Sequence, residues 1–166
     1  MIQIRECDLL LIMMSCIEML FDHNLACREP LLQALEQMSR DRLLDDLGVG
    51  KGSIRNILAH LVNTERYWIS VLDESEPEYI EPASLNDVQS IRTIWSKIHE
   101  KTRDFIANLN DVKLHHVKSV SWGNQTVSFT VAKALLHMIN HETHHRGLLA
   151  GLMRLEGIEP PDFNML

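Results

Sequence analysis

Leu136-His137-Met138-Ile139-Asn140-His141-Glu142-Thr143-His144-His145-Arg146-Gly147 holds four of the nine histidines of the chain. Set on an α-helix, the stretch lies within a long apolar seam. Val131, Ala134, Met138, His141, His145, Leu148, Leu152 and Leu155 follow one another at steps of three and four, so they share one face. His141 and His145 stand at the middle of that face, one turn apart, with His137 and His144 at its edge. One histidine on a buried seam is usually a hydrogen-bonded core residue. Two at i and i+4 are costly to desolvate without a common partner. A divalent metal is the usual one, because one turn brings both ring nitrogens to a single point. The competing reading keeps both as structural histidines, each bonded within the core.

Upstream of this seam lie three more helical patterns. Met13, Ile17, Leu20, Asn24, Cys27, Leu31 and Leu35 step by three and four. Pro30 falls inside the pattern and predicts a kink or a break. Asn24, the polar residue on this seam, is better suited to bond a neighbouring helix than to face a metal cavity. After a loop from Asp45 to Gly52, Ser53 reads as the N-cap of a helix running to about Leu72. Ile54, Ile57, Leu61, Trp68 and Leu72 form its apolar face. His60 lies at the margin of that face, beside Thr64 and Tyr67. Spacing alone leaves it open between a surface or supporting role and a third metal ligand.

An acidic loop from Asp73 to Ser84 follows, with Pro77 and Pro82 in it. Ser84 and Asp87 have the spacing of a capping box. Val88, Ile91, Trp95, Ile98, Thr102, Phe105 and Leu109 make the next seam. His99 lies outside it and is expected in solvent. Val117 to Val127 alternates weakly around Gly123-Asn124, which fits either two short strands or an irregular loop. The last helix is expected from Ser128 or Phe129 to about Gly157, where Pro160 and Pro161 bar continuation. Gly147 and Gly151 on it either admit a close neighbour helix or leave space above a metal. Four long amphipathic segments predict an all-α four-helix bundle, with residues 1–166 as one domain.

Composition narrows the function. A formal charge of −7, with Lys and Arg scattered among acidic neighbours, argues against nucleic acid as the main partner. The apolar run Leu9 to Met14 is too short to span a bilayer, and Asp8 interrupts the front of any signal sequence. It reads as the first turns of a buried helix. Cys7, Cys16 and Cys27 contain no C-x-x-C pair and are odd in number, so reduced thiols in a cytoplasmic protein are the simpler reading. Gly48 to Ser53 lacks the Gly-Lys-Ser/Thr closure of a phosphate loop. His141-Glu142-Thr143-His144-His145 satisfies H-E-x-x-H, the zinc-protease pattern with glutamate as general base. The surroundings disagree: Gly151 stands where the extended motif needs a histidine, and Glu142 is off the His141/His145 line.

The run Asn140 to Gly147, followed by Leu148-Leu149, Arg154, Gly157 and Pro160-Pro161, resembles the closing helix of the DinB (damage-inducible) family. Ser53-Ile54 through Leu58-Ala59-His60, with Glu65 and Trp68, resembles that family's second helix. The resemblance extends from about Leu20 to Phe163. It implies an up-down-down-up bundle, often a homodimer, with a three-histidine metal site. By motif position the ligands would be His60, His141 and His145, leaving His137 and His144 outside the set. Glutamine commonly follows the Arg-Gly pair in the family, whereas Leu148 stands here, removing a polar contact near the site.

Members similar to this chain include thiol-dependent S-transferases and a maleylpyruvate isomerase that uses a thiol. The resemblance therefore implies a divalent metal, zinc or nickel foremost, a small-molecule substrate and, as in those thiol-dependent members, a low-molecular-weight thiol cofactor. The chemistry suits such a site. Three neutral imidazoles leave the cation its full charge and an open position, where water or a thiol loses its proton more easily. A metal-dependent hydrolase and a non-catalytic metal-binding stress-response protein are the alternatives. No residue names the substrate.

Overall fold

The computed structural model of the protein describes the backbone of residues 6–166 and the side chains of residues 12–166. Four long helices account for most of it: α1 (Glu6–Leu35), α3 (Ile54–Asp73), α4 (Val88–Ala107) and α6 (Val131–Leu155). Two short helices, α2 (Arg40–Leu44) and α5 (Asp111–His115), lie in the connections. A hairpin of β1 (Val117–Trp122) and β2 (Gln125–Thr130) precedes α6. The Cys7 side chain and the front of the Leu9 to Met14 run lie outside the described side chains.

Two apolar clusters fix the helix directions. At one end Leu31, Leu32 and Leu35 of α1 meet Ile54 to Val62 of α3, Val88 to Trp95 of α4 and Leu149 to Met153 of α6. At the other end Ile17 and Phe21 meet Trp68 to Leu72, Ile106, and Val131 to Ile139. Early residues of α3 and α4 therefore share an end with late residues of α1 and α6. The bundle runs up-down-down-up, and the parallel pair α3 and α4 explains the long crossing loop between them.

Local chemistry sets the ends. Ser53 Oγ accepts the Asn56 amide at 3.1 Å and starts α3. Helix α4 begins later than the Ser84/Asp87 spacing suggests. Asp87 is the N-cap, and its carboxylate accepts the Ser90 amide at 2.7 Å. Ser84 instead closes a short 3₁₀ turn, its hydroxyl donating to the Glu81 carbonyl at 2.7 Å. Thr130 caps α6, so Ser128 and Phe129 belong to β2 and not to the helix. The hairpin turns at Gly123, whose φ of +58° favours glycine. Ser119 with Ser128 and Ser121 with Thr126 pair their hydroxyls across it. Pro30 does not break α1, which continues to Leu35. One lost backbone bond is outweighed there by the burial of Leu31, Leu32 and Leu35.

The face that α6 buries is wider than the seam read in the sequence, of which Val131, Ala134, Met138, His145 and Leu152 are buried. Leu155 is 82% exposed, whereas Leu135, Ile139, Glu142, Arg146, Leu149 and Met153 are buried. Among the described residues, a Cβ on Gly147 or Gly151 would meet nothing within 4 Å, so neither glycine admits a described helix of this chain. Among the described residues, no helix is long and apolar enough to cross a membrane.

Candidate metal centre

Helix α3 presents His60 in its second turn, and α6 presents His141 and His145 on consecutive turns. The structure brings these three together. One ring nitrogen from each lies within 4.8 Å of the others. Nε2 of His60 and Nε2 of His141 are 3.0 Å apart. Two bare lone pairs at that distance repel, so a proton on one ring or a cation between them must reconcile the pair. A proton would satisfy only those two. Nδ1 of His145 is buried and, among the described residues, has no hydrogen-bond partner. Tetrahedral ligation at the usual Zn–N length spaces two nitrogens by about 3.3 Å, close to the His60–His141 spacing, and the third nitrogen lies within 4.8 Å. The donor set thus fits a divalent cation.

Electrostatics favour the ligating form. Burial pushes the His60 imidazole down to about 4, with Lys51 and His145 adding to it. Burial also pushes His141 down to about 3, with the charges of His145, His60, His137 and His144 contributing. His145 is lowered by burial, then by His144 and Lys51. All three are neutral near pH 7, the state in which imidazole binds a metal.

The other two histidines of the motif stand apart. His137 is exposed and packs edge-on against Trp68, with ring centroids 5.2 Å apart. His144 is exposed and packs against the His145 ring at 5.0 Å. Trp68 also packs on Phe129 of the hairpin, while Trp122 Nε1 donates to the Tyr67 hydroxyl at 3.1 Å.

Behind the histidines lies a buried polar layer that the sequence reading did not find. Arg28 of α1 donates from Nε to Glu142 Oε1 at 2.8 Å, and from Nη2 to Glu142 Oε2 at 2.6 Å. The same Nη2 donates to Glu65 Oε2 at 2.7 Å. Trp95 Nε1 and Thr102 Oγ1, both of α4, donate to Glu65 at 2.7 Å each. Burial alone would raise the Glu65 carboxyl, but Arg28 and the hydrogen bonds from His99, Thr102 and Trp95 hold it near 2. His99 is therefore not in solvent. Its Nδ1 lies 3.2 Å from Arg28 Nη1 and 3.4 Å from Glu65 Oε1. The signal was available: Leu58, Leu61, Glu65, Ile69 and Leu72 form a seam with one charge in it, and a charge there requires a partner.

Both oxygens of Glu142 are held by Arg28, which removes it as the general base of a zinc protease. Asn24 serves helix packing. Its Nδ2 donates to the Ile139 carbonyl at 3.3 Å, and its Oδ1 accepts from Arg146 Nη1 at 2.9 Å. Cys16 is exposed and unbridged. Cys27 is buried and unbridged, with its thiol 3.6 Å from His23 Nε2 and raised mainly by burial.

Comparison with known proteins agrees with this architecture. The chain is 24% identical to the uncharacterized protein YizA of Bacillus subtilis (strain 168) over 130 residues, 78% of this chain and 81% of YizA. It is 19% identical to Protein DinB of the same organism over 157 residues, 88% of this chain and 90% of that one. The crystal structure of a conserved protein from Enterococcus faecalis superposes with a TM-score of 0.65 at 16% identity, covering 83% of this chain and 95% of that one. Residues 13–166 match the DinB family, and the chain belongs to it.

Proposed function

We propose that the chain takes one divalent cation on His60, His141 and His145 and uses a low-molecular-weight thiol to transfer or isomerise a small-molecule substrate. The convergence of three neutral imidazoles from two helices, with Nδ1 of His145 buried and unpartnered, carries this reading. When bound, a cation there supplies Lewis acidity that favours the thiolate over the thiol at neutral pH. The chain supplies the rest. Helices α3 and α6 orient the imidazoles, and the surrounding core keeps them unprotonated. Lys51, whose charge acts on His60 and His145, adds positive charge near the imidazoles. The described cysteines, Cys16 and Cys27, lie on α1 and not among the three histidines, in keeping with a reacting thiol drawn from solution.

The test incubates metal-loaded protein with an electrophile, such as a chlorodinitrobenzene or a maleyl compound, and a panel of small thiols. Turnover is expected with at least one thiol, and it should vanish on chelation and in His141→Ala. Ester hydrolysis by the metal form with no thiol dependence would replace this reading with the hydrolase. We also propose a homodimer, because the exposed Gly147 and Gly151 leave a face of α6 open to a second copy, and a cytoplasmic location, in keeping with the unbridged Cys16 and Cys27. Light scattering at micromolar concentration should give twice the chain mass.

A further inference from the structure

Arg28, Glu65 and Glu142 are 6%, 5% and 8% exposed, and together they bury one cation with two anions. Such a cluster is weak evidence for stability, since apolar residues of similar volume often hold a fold as well. Its placement along the chain suggests another role. Glu142 directly follows His141. Glu65 lies on the same helix as His60, just over one turn further along. The planar fork of Arg28 grips Glu142 at two points and Glu65 at one. Glu65 is gripped in turn by Trp95 and Thr102 of α4. One guanidinium on α1 thereby ties α3 and α6 to a single point, a constraint on how each helix is rotated about its own axis. That rotation decides whether His60 meets His141 and His145. A small cavity lined by Arg28, Thr64, Glu65, His141 and Glu142 sets the His141 ring beside the cluster.

We propose that Arg28 is a positioning residue for the metal centre: by holding Glu65 and Glu142 to one guanidinium, it sets the spacing of His60, His141 and His145. This rests on the metal reading above. It differs from a role in charge alone, which any cation at position 28 would fill, and from a role in stability alone, which would leave metal affinity unchanged.

The experiment is a cobalt(II) titration of the full chain, read by visible absorption and by competition with a chelator. The thermal midpoint of each metal-free protein is measured alongside. The variants are Arg28→Lys, the triple change Arg28→Met/Glu65→Leu/Glu142→Leu, and Thr102→Val. Lysine keeps the charge but lacks the fork. The triple change removes the whole cluster, a replacement that buried ion groups commonly tolerate. Thr102→Val removes one hydrogen bond to Glu65 and no charge. Binding about 10–100-fold weaker is expected in Arg28→Lys and in the triple variant, the range seen when residues supporting metal ligands are changed. An altered absorption band at saturating cobalt is expected in Arg28→Lys. Thr102→Val should show the same change on a smaller scale, and it decides the matter if the other two do not fold. Wild-type affinity and spectrum in the folded variants would overturn the proposal and leave the metal reading standing. No binding of cobalt, zinc or nickel by the wild type would overturn both.

Discussion

Trp95 and Glu65 are joined across α3 and α4 by an indole N–H that donates to the carboxylate at 2.7 Å, on the oxygen that also receives Arg28 Nη2. The other oxygen of Glu65 accepts from Thr102. Every donor around this carboxylate is aimed at a negative charge. Glu65→Gln keeps the shape but turns an amide NH₂ toward one set of donors and removes one of the two negative charges that Arg28 faces. Breaking a buried ion pair from one side costs about 3–5 kcal/mol. Urea unfolding of the metal-free variant is expected to show a loss of about 3 kcal/mol. A loss within the scatter of surface substitutions would mean that the layer relaxes freely.

Metal content should separate the histidines of the motif. The wild type is expected to bind one cation per chain. His60→Ala, His141→Ala and His145→Ala should each lose it, because each supplies one of the three converging nitrogens. His144→Ala should retain it, since that ring is exposed and packs beside His145 instead of joining the group. Elemental analysis of the purified variants checks this. Loss in His144→Ala with retention in His145→Ala would show that the wrong pair had been chosen.

The pH dependence of stability follows from the same burial. An unfolded histidine takes a proton near pH 6.5, while folded His60 does so near 4 and folded His141 near 3. Between these values the unfolded chain binds more protons, so acidification favours unfolding. Metal-free protein should therefore lose stability as pH falls from about 6.5 toward 4. Glu65, lowered from its ordinary 4.5 to about 2, contributes stability that is present above 4.5 and lost as pH falls toward 2. The urea midpoint measured from pH 7 to pH 4 should fall steadily. His141→Leu should flatten the upper part of that curve, and an unchanged slope would show that the His141 ring is protonated alike in both states.

The bundle was legible because a helix that buries one side repeats its apolar residues at three and four, whatever it packs against. Ile54, Ile57, Leu61, Trp68 and Leu72 announced α3 in this way, and all five are buried. Caps were legible where one side chain serves its own helix, as at Ser53. Ser84 misled because the capping spacing recurs one turn early, and only the backbone path shows that Asp87 holds the position. Helix α5 was not seen because five residues are too few to show a period. The His60 position came from resemblance, since a histidine at a seam margin carries no signal of its own. Glu65, Glu142 and Arg146 stood on apolar seams, and their charge was the warning that went unread.

By itself the sequence determined four amphipathic helices and a pair of histidines one turn apart on the last of them, because spacing along a single helix is local geometry. Only the tertiary structure decided which faces meet. Arg28 and Glu142 are 114 positions apart in the chain, and His60 and His141 are 81 apart. Their contact depends on how far each helix is rotated about its own axis. That rotation is set by the whole packed core and the buried polar layer within it, which no single segment encodes.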